Sequence, residues 1–163
     1  MNETTITGYM PGAVGKITEL HAVYYHDRWG FDVSFETQVG AELSDFVRNF
    51  QTGRDGLWLA WQGRHFAGSV AVDGRPIEPG SARLRWFIVE PFSQGEGLGR
   101  QLIGSALSFS RAAGFRSLYL WTFRGLDAAL RLYRQSGFTL TEEHTVAQWG
   151  QTIREQRFDL ALR

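Results

Sequence analysis

The stretch SQGEGLGRQL, Ser93 to Leu102, places Gly95, Gly97 and Gly99 at alternate positions. It follows the apolar run LRWFIVEP and opens a helical pattern. A glycine-rich turn between a strand and a helix suits an anion, above all a phosphate, because unpaired backbone N–H groups gather at a helix N-terminus. Glycine removes the side-chain bulk that would hold the ligand away from that backbone. Two common phosphate loops do not fit. A P-loop needs Gly-Lys-Ser/Thr, whereas Gly99 is followed by Arg100 and Gln101. A dinucleotide loop needs G-x-G-x-x-G with an acidic residue about 20 positions on. Here the pattern is G-x-G-x-G, and Tyr119, Leu120 and Trp121 occupy that register. A ligand-free strand–helix junction remains an alternative for the glycines taken alone.

The other reactive residue types narrow the chemistry. There are no cysteines, which excludes a disulfide scaffold, a thiolate metal site and a cysteine nucleophile. The histidines lack metal-ligand spacing, so no metal is expected. His21 and Tyr25 lie at i, i+4 and share a helix face. The strand ahead of the glycine turn has no carboxylate; Glu90 comes at its very end and Glu78 in the loop before it. Lys+Arg and Asp+Glu both number 17, so no net charge points to nucleic acid or to an anionic membrane. No run approaches ~18 apolar residues, so no membrane span is expected. MNETTITGYMPG lacks the basic start and apolar centre of a signal peptide, and a cytoplasmic location is expected. Aromatic residues make up 14%, which fits a large aromatic core, an aromatic-lined pocket, or both.

The elements that must position these residues follow from periodicity. At 163 residues the chain is expected to be one domain, residues 1–163, with no repeat or linker. Thr4 to Tyr9 reads as a first strand, and Val14 to Trp29 as a helix ended by Gly30. Ser34 is the expected cap of a second helix, whose apolar face holds Phe35, Val39, Leu43, Phe46, Val47 and Phe50. Leu57–Trp61 and Ala67–Val72 form a hairpin, and Ala82–Val89 is the strongest strand. A helix follows the glycine turn to about Ala113, then a strand over Ser117–Thr122 and a short helix ended by Gly137. FTLTEEHTV and QTIREQRFDLAL close the chain as an antiparallel pair. The order β-α-α-β-β-β-α-β-α-β-β, with a helix between Ala82 and Thr122, implies an α/β fold with one parallel crossover in a mixed sheet.

FIVEPFSQGEGLGRQLI resembles the acetyl-CoA signature Q/R-x-x-G-x-G/A of the GNAT superfamily of N-acetyltransferases, with Gln94, Gly97 and Gly99 on its marked positions. LRLYRQSGF resembles that family's closing motif, with Tyr133 four residues before Gly137-Phe138 and Ala129 four before the tyrosine. The order of elements is the family's too, so the resemblance covers nearly the whole chain. The N-terminal stretch is also similar to acetyltransferase modules fused behind winged-helix regulators of the MarR type. No DNA-binding helix pair accompanies it here, so no nucleic-acid role is expected of this chain alone.

The resemblance implies a GNAT fold with a mixed sheet, an acetyl-CoA cosubstrate, and transfer of acetyl to a primary amine by direct attack in a ternary complex. The strand before the turn is implied to part from its neighbour, so that backbone around Phe87, Ile88 and Val89 bonds the pantetheine arm. The pyrophosphate then falls to Gln94, Gly95, Glu96, Gly97, Leu98, Gly99 and Arg100. Arg100 offers a charge-assisted contact or is simply a solvated first-turn arginine. Tyr133 matches the tyrosine that protonates the leaving thiolate. A strand glutamate often serves as base in relatives; ARLRWFIV has none, which leaves Glu90 or Glu78 acting through water, or no dedicated base. Leu126 stands where the closing motif commonly has asparagine. The first two helices are implied to cover the acceptor, with His21, Tyr25 and Trp29 as candidates for contact. A small amine is favoured over a protein acceptor, and pairing through late strands in relatives suggests a homodimer. The rival readings are a non-catalytic acyl-CoA-binding or sensing module and an enzyme using a longer acyl donor.

Overall fold

The computed structural model describes residues 3–76 and 78–162. Met1, Asn2, Ile77 and Arg163, which the expected domain span takes in, lie outside the described residues. The elements run β1 (Thr4–Thr7), α1 (Ala13–Trp29), α2 (Val33–Arg48), β2 (Gly56–Gln62), β3 (His65–Asp73) and β4 (Ser81–Val89). A 3₁₀ turn at Pro91–Ser93 leads to α3 (Leu98–Ala112), β5 (Ser117–Phe123), α4 (Asp127–Gln135), β6 (Thr139–Gln148) and β7 (Gln151–Ala161). Seven strands form one sheet in the order β1-β2-β3-β4-β5-β7-β6. Only β4 and β5 run parallel, as the crossover through α3 requires. The result is a single α/β domain.

Helices cover both faces. On one, α3 buries Leu98, Leu102, Ile103 and Ala106 against Val70, Val72, Leu84, Leu118 and Leu120 of the sheet. On the other, α1 and α2 bury Ile17, Leu43 and Phe46 against Leu57, Leu59 and Ala71. A third cluster joins Tyr25, Phe31, Phe35 and Val39 to Ile88, Phe123 and Ile153, so the start of α2 reaches the late strands. The cap of α2 differs from expectation. Asp32 is the N-cap, and its carboxylate accepts from the Ser34 backbone N–H at 3.0 Å. An aspartate two residues earlier outcompetes the serine because its charged oxygen also complements the helix dipole.

Two irregularities matter most for function. The first is the pairing of β4 with β5, which stops after Ser81↔Ser117, Ala82↔Leu118 and Arg83↔Tyr119. Beyond that rung the strands part, leaving Leu84–Val89 and Leu120–Phe123 without each other. The second is a bulge in β4. Ile88 faces Ser69 and Arg85 faces Ala71, so Trp86 and Phe87 together oppose Val70. Trp86 has φ 47°, and the Ser69 hydroxyl donates to its carbonyl at 2.8 Å. The bulge bends β4 away from β5 at the point where their pairing has ended.

Candidate active site

The parted strands open into a cavity of about 650 Å³, well inside the range of small-molecule sites. Its walls come from α1, α2, β4, the glycine turn, β5, α4 and the β6–β7 end. Gly95 and Gly99 mark one end, Phe87, Val89 and Tyr133 line the middle, and Trp29, Phe35 and Trp149 close the other.

The glycine end is built for close approach. Gly95 and Gly97 have φ of 85° and 83°, conformations that favour glycine, and a Cβ on either would meet nothing within 4 Å. The space beside the turn is therefore open. Gly97 caps α3, and Gln101 is the first residue whose N–H bonds back into the helix, to Gly97 at 3.1 Å. The N–H groups of Leu98, Gly99 and Arg100 stand ahead of it, at the positive end of the helix dipole. Gly99 has a different reason to be glycine: a Cβ there would come within 2.7 Å of Leu132 and 3.3 Å of Phe87. Gln94 folds back, its side-chain amide donating to the Val89 carbonyl at 3.0 Å. The Leu98 side chain is buried in the core, so this residue offers the turn only its backbone. Glu96 bonds Gln62, and Arg100 is exposed; neither side chain lines the cavity. An extended pantetheine-like arm with a pyrophosphate fits this arrangement: parted strand, open turn and free N–H groups lie in sequence.

Tyr133 projects from α4 and is 6% exposed, with ring centroids 5.9 Å from Phe87, 5.9 Å from Phe138 and 6.3 Å from Phe158. Burial among these rings pushes its pKa well above that of a free phenol. Tyr25, on α1, also lines the cavity, and burial raises its pKa, with the Tyr133 and Tyr24 phenols adding to the effect. The two hydroxyls therefore share one apolar environment across the cleft.

His21 and Tyr25 do share a face, with ring centroids 6.0 Å apart. His21 is 4% exposed, and its Nδ1 donates to the Ile17 carbonyl at 2.8 Å. Burial lowers its pKa to about 4 despite that bond. The histidine is neutral at pH 7 and is held in one tautomer. A free histidine takes up its proton near ~6.5, so between ~6.5 and about 4 the unfolded chain binds a proton that the folded chain refuses. Stability is full above that window and falls as pH drops through it, by about 3 kcal/mol for this residue. His21→Gln should remove that component when urea unfolding is compared at pH 7 and pH 4.5; an unchanged pH slope would show that His21 is not the group responsible.

Glu90 does not line the cavity. Its carboxylate accepts from the Ser93 hydroxyl at 2.9 Å and lies 3.5 Å from His65. It fastens the 3₁₀ turn that launches the glycine loop. Glu78 is likewise turned away, 3.7 Å from Arg157. The carboxylates that do line the cavity are Glu42, Asp127 and Glu155. Glu42 bonds Arg85, and Asp127 opens α4. Glu155 has no arginine partner; it bonds His144 Nε2 at 2.9 Å, beside Trp121. Glu155, Gln148 and Trp149 were beyond sequence reasoning because β6 and β7 reach the cavity only through sheet order.

Residues 16–138 match the acetyltransferase (GNAT) family. The chain belongs to that family. This acetyltransferase is 30% identical over 121 residues to an uncharacterized N-acetyltransferase of Schizosaccharomyces pombe, covering 74% of this chain and 73% of that one. It is 34% identical over 90 residues to the mycothiol acetyltransferase of Geodermatophilus obscurus, covering 52% of this chain and 29% of that protein. It spans about half (49%) of the length of the rat N-acetyltransferase family 8 member 2. In fold the GNAT chain is similar to a Salmonella typhimurium acetyltransferase solved with acetyl-CoA, at TM-score 0.76, 21% identity and coverage of 99% and 95%. It is also similar to a phosphinothricin N-acetyltransferase structure at TM-score 0.80 and 16% identity, with 99% of each chain covered. No described helix is long and apolar enough to cross a membrane.

Proposed function

We propose that this chain transfers an acetyl group from acetyl-CoA to the primary amine of a small acceptor, by direct attack within a ternary complex. The observation that carries the reading is Tyr133, a buried phenol placed in one cavity between the open glycine turn and an aromatic chamber. Acetyl-CoA supplies the acetyl group as an activated thioester. The N–H groups from Gly95 to Arg100 hold its pyrophosphate, and the β4 edge from Phe87 to Val89 orients its arm. Tyr133 holds a proton on its phenol oxygen and delivers it to the departing sulfur as the C–S bond breaks and the C–N bond forms. The same burial that weakens Tyr133 as an acid also makes the sulfur a stronger base, so the transfer stays matched.

Glu155 takes the place expected of Glu90. It is a cavity carboxylate without an arginine partner among the described residues, bonded instead to His144, and it accepts the proton lost by the amine. His144 holds it and links it to solvent. Glu155→Gln should lower kcat/KM about tenfold or more below neutral pH, where free amine is scarce, with a smaller loss at high pH. A uniform loss at all pH values would assign Glu155 to binding alone. Tyr25, Trp29, Phe35 and Trp149 form the acceptor chamber, which suits a small amine better than a protein segment.

Calorimetric titration with acetyl-CoA, followed by release of free thiol across a panel of amines, tests the reading. Binding with amine-dependent release is expected. Binding without release from any amine would favour an acyl-CoA sensor, and no binding at all would overturn the site.

A further inference from the structure

Arg85, Arg75 and Arg157, around the parting of β4 and β5, are paired, whereas Arg83 is not. Arg85 bonds Asp73 at 3.3 Å and also Glu42, and it lies 4.2 Å from the centre of the Trp86 ring. Arg75 bonds Asp73 and Asp45, each at 3.0 Å. Arg157 bonds Asp159 at 2.7 Å and lies over Tyr119. Arg83 makes no hydrogen bond or ion pair with any described residue, and its Nε–H is buried without an acceptor. Burial, together with the neighbouring Arg85, lowers its pKa. A buried Nε–H without an acceptor is costly to keep, and it calls for one.

The position of Arg83 says what that acceptor is. It stands on the last paired rung, opposite Tyr119, and it lines the cavity. The glycine turn lies beyond the opposite end of β4, so the phosphates of the cosubstrate are held away from Arg83. Trp86, at the bulge, is three residues further along the strand, about 10 Å at strand spacing. The carboxylates Glu155 and Asp127 line the same cavity and provide for an amine. Resting on the acetyl-transfer reading, we infer that Arg83 binds a carboxylate of the acceptor, so that the substrate is a zwitterion carrying its amino group and its carboxylate some atoms apart, as in a short peptide or an extended amino acid. Nε–H and one Nη–H form the planar fork that grips a carboxylate side-on.

The test is calorimetry on the full chain saturated with CoA, titrated with glycylglycine and with glycylglycinamide. Glycylglycine should bind at least tenfold more tightly. Arg83→Met, which keeps an unbranched stem but no charge, should abolish that preference and leave acetyl-CoA affinity unchanged. Arg83→Lys, which keeps the charge without the fork, should retain part of it. Equal affinity for the two probes, binding of neither, or a preference that survives Arg83→Met would overturn the assignment. Failure of acetyl-CoA itself to bind would instead remove the cosubstrate reading on which it rests.

Discussion

Replacing Tyr133 by phenylalanine should lower kcat by about 10²-fold or more, within the usual range for losing a general acid, while acetyl-CoA affinity stays nearly constant. The contrast follows from the environment of the ring. Its packing against Phe87, Phe138 and Phe158 involves carbon faces that phenylalanine keeps. Only the oxygen is removed, and burial keeps that oxygen protonated at neutral pH. The sulfur then departs unprotonated into an apolar site, where an anion is poorly tolerated. Steady-state thiol release and calorimetry on the same preparation separate the two effects. Wild-type kcat in the variant would remove Tyr133 from the chemistry; a matching loss of affinity would recast it as a packing residue.

Gly97→Trp should abolish measurable acetyl-CoA binding, raising Kd at least about 100-fold, roughly 3 kcal/mol, in a chain that still folds. The fold should survive because a Cβ at Gly97 meets nothing within 4 Å and the residue lies at the surface. A non-glycine residue at φ 83° costs about 1–2 kcal/mol, which the domain can absorb. The indole then fills the open space where free N–H groups converge. Retained affinity in a folded variant would mean that the pyrophosphate lies elsewhere. A melting temperature far below wild type, with binding intact below it, would mean the same.

Much of the fold was legible because its signals are local. The helical spacing of Phe35, Val39, Leu43 and Phe46, and the apolar run Ala82–Val89, each reflect the periodicity of a single element with a buried face. The glycine turn was legible for a similar reason, since its conformation and openness are properties of consecutive residues. The acceptor chamber was not. Trp86 enters left-handed backbone at the bulge, and nothing about tryptophan announces this. Glu90 sits next to the strand in sequence, yet it does not line the cleft, and Ser93 holds it. Glu155 is far from the motifs in sequence and reaches the cavity because β7 pairs with β5. Arg83 and Arg85 left a readable trace, two charges at strand spacing within an apolar segment. Which of the two would find partners depended on Glu42 of α2 and Asp73 of β3.

The three-rung contact between β4 and β5 has a mechanical meaning. It divides the sheet into a four-stranded half and a three-stranded half, hinged at Arg83 and Tyr119. Backbone amides along the free edges from Leu84 and from Leu120 onward lack the neighbour that would shield them from solvent exchange. A ligand lying along the β4 edge takes up groups that an adjacent strand would otherwise occupy. In the proposed binding mode the cosubstrate would act as a removable strand, and its arrival would couple the two halves into a stiffer unit, with a gain in stability set by its concentration over its Kd. Rigidity would then rise when the acetyl donor is in place, which is when the acceptor must be held still.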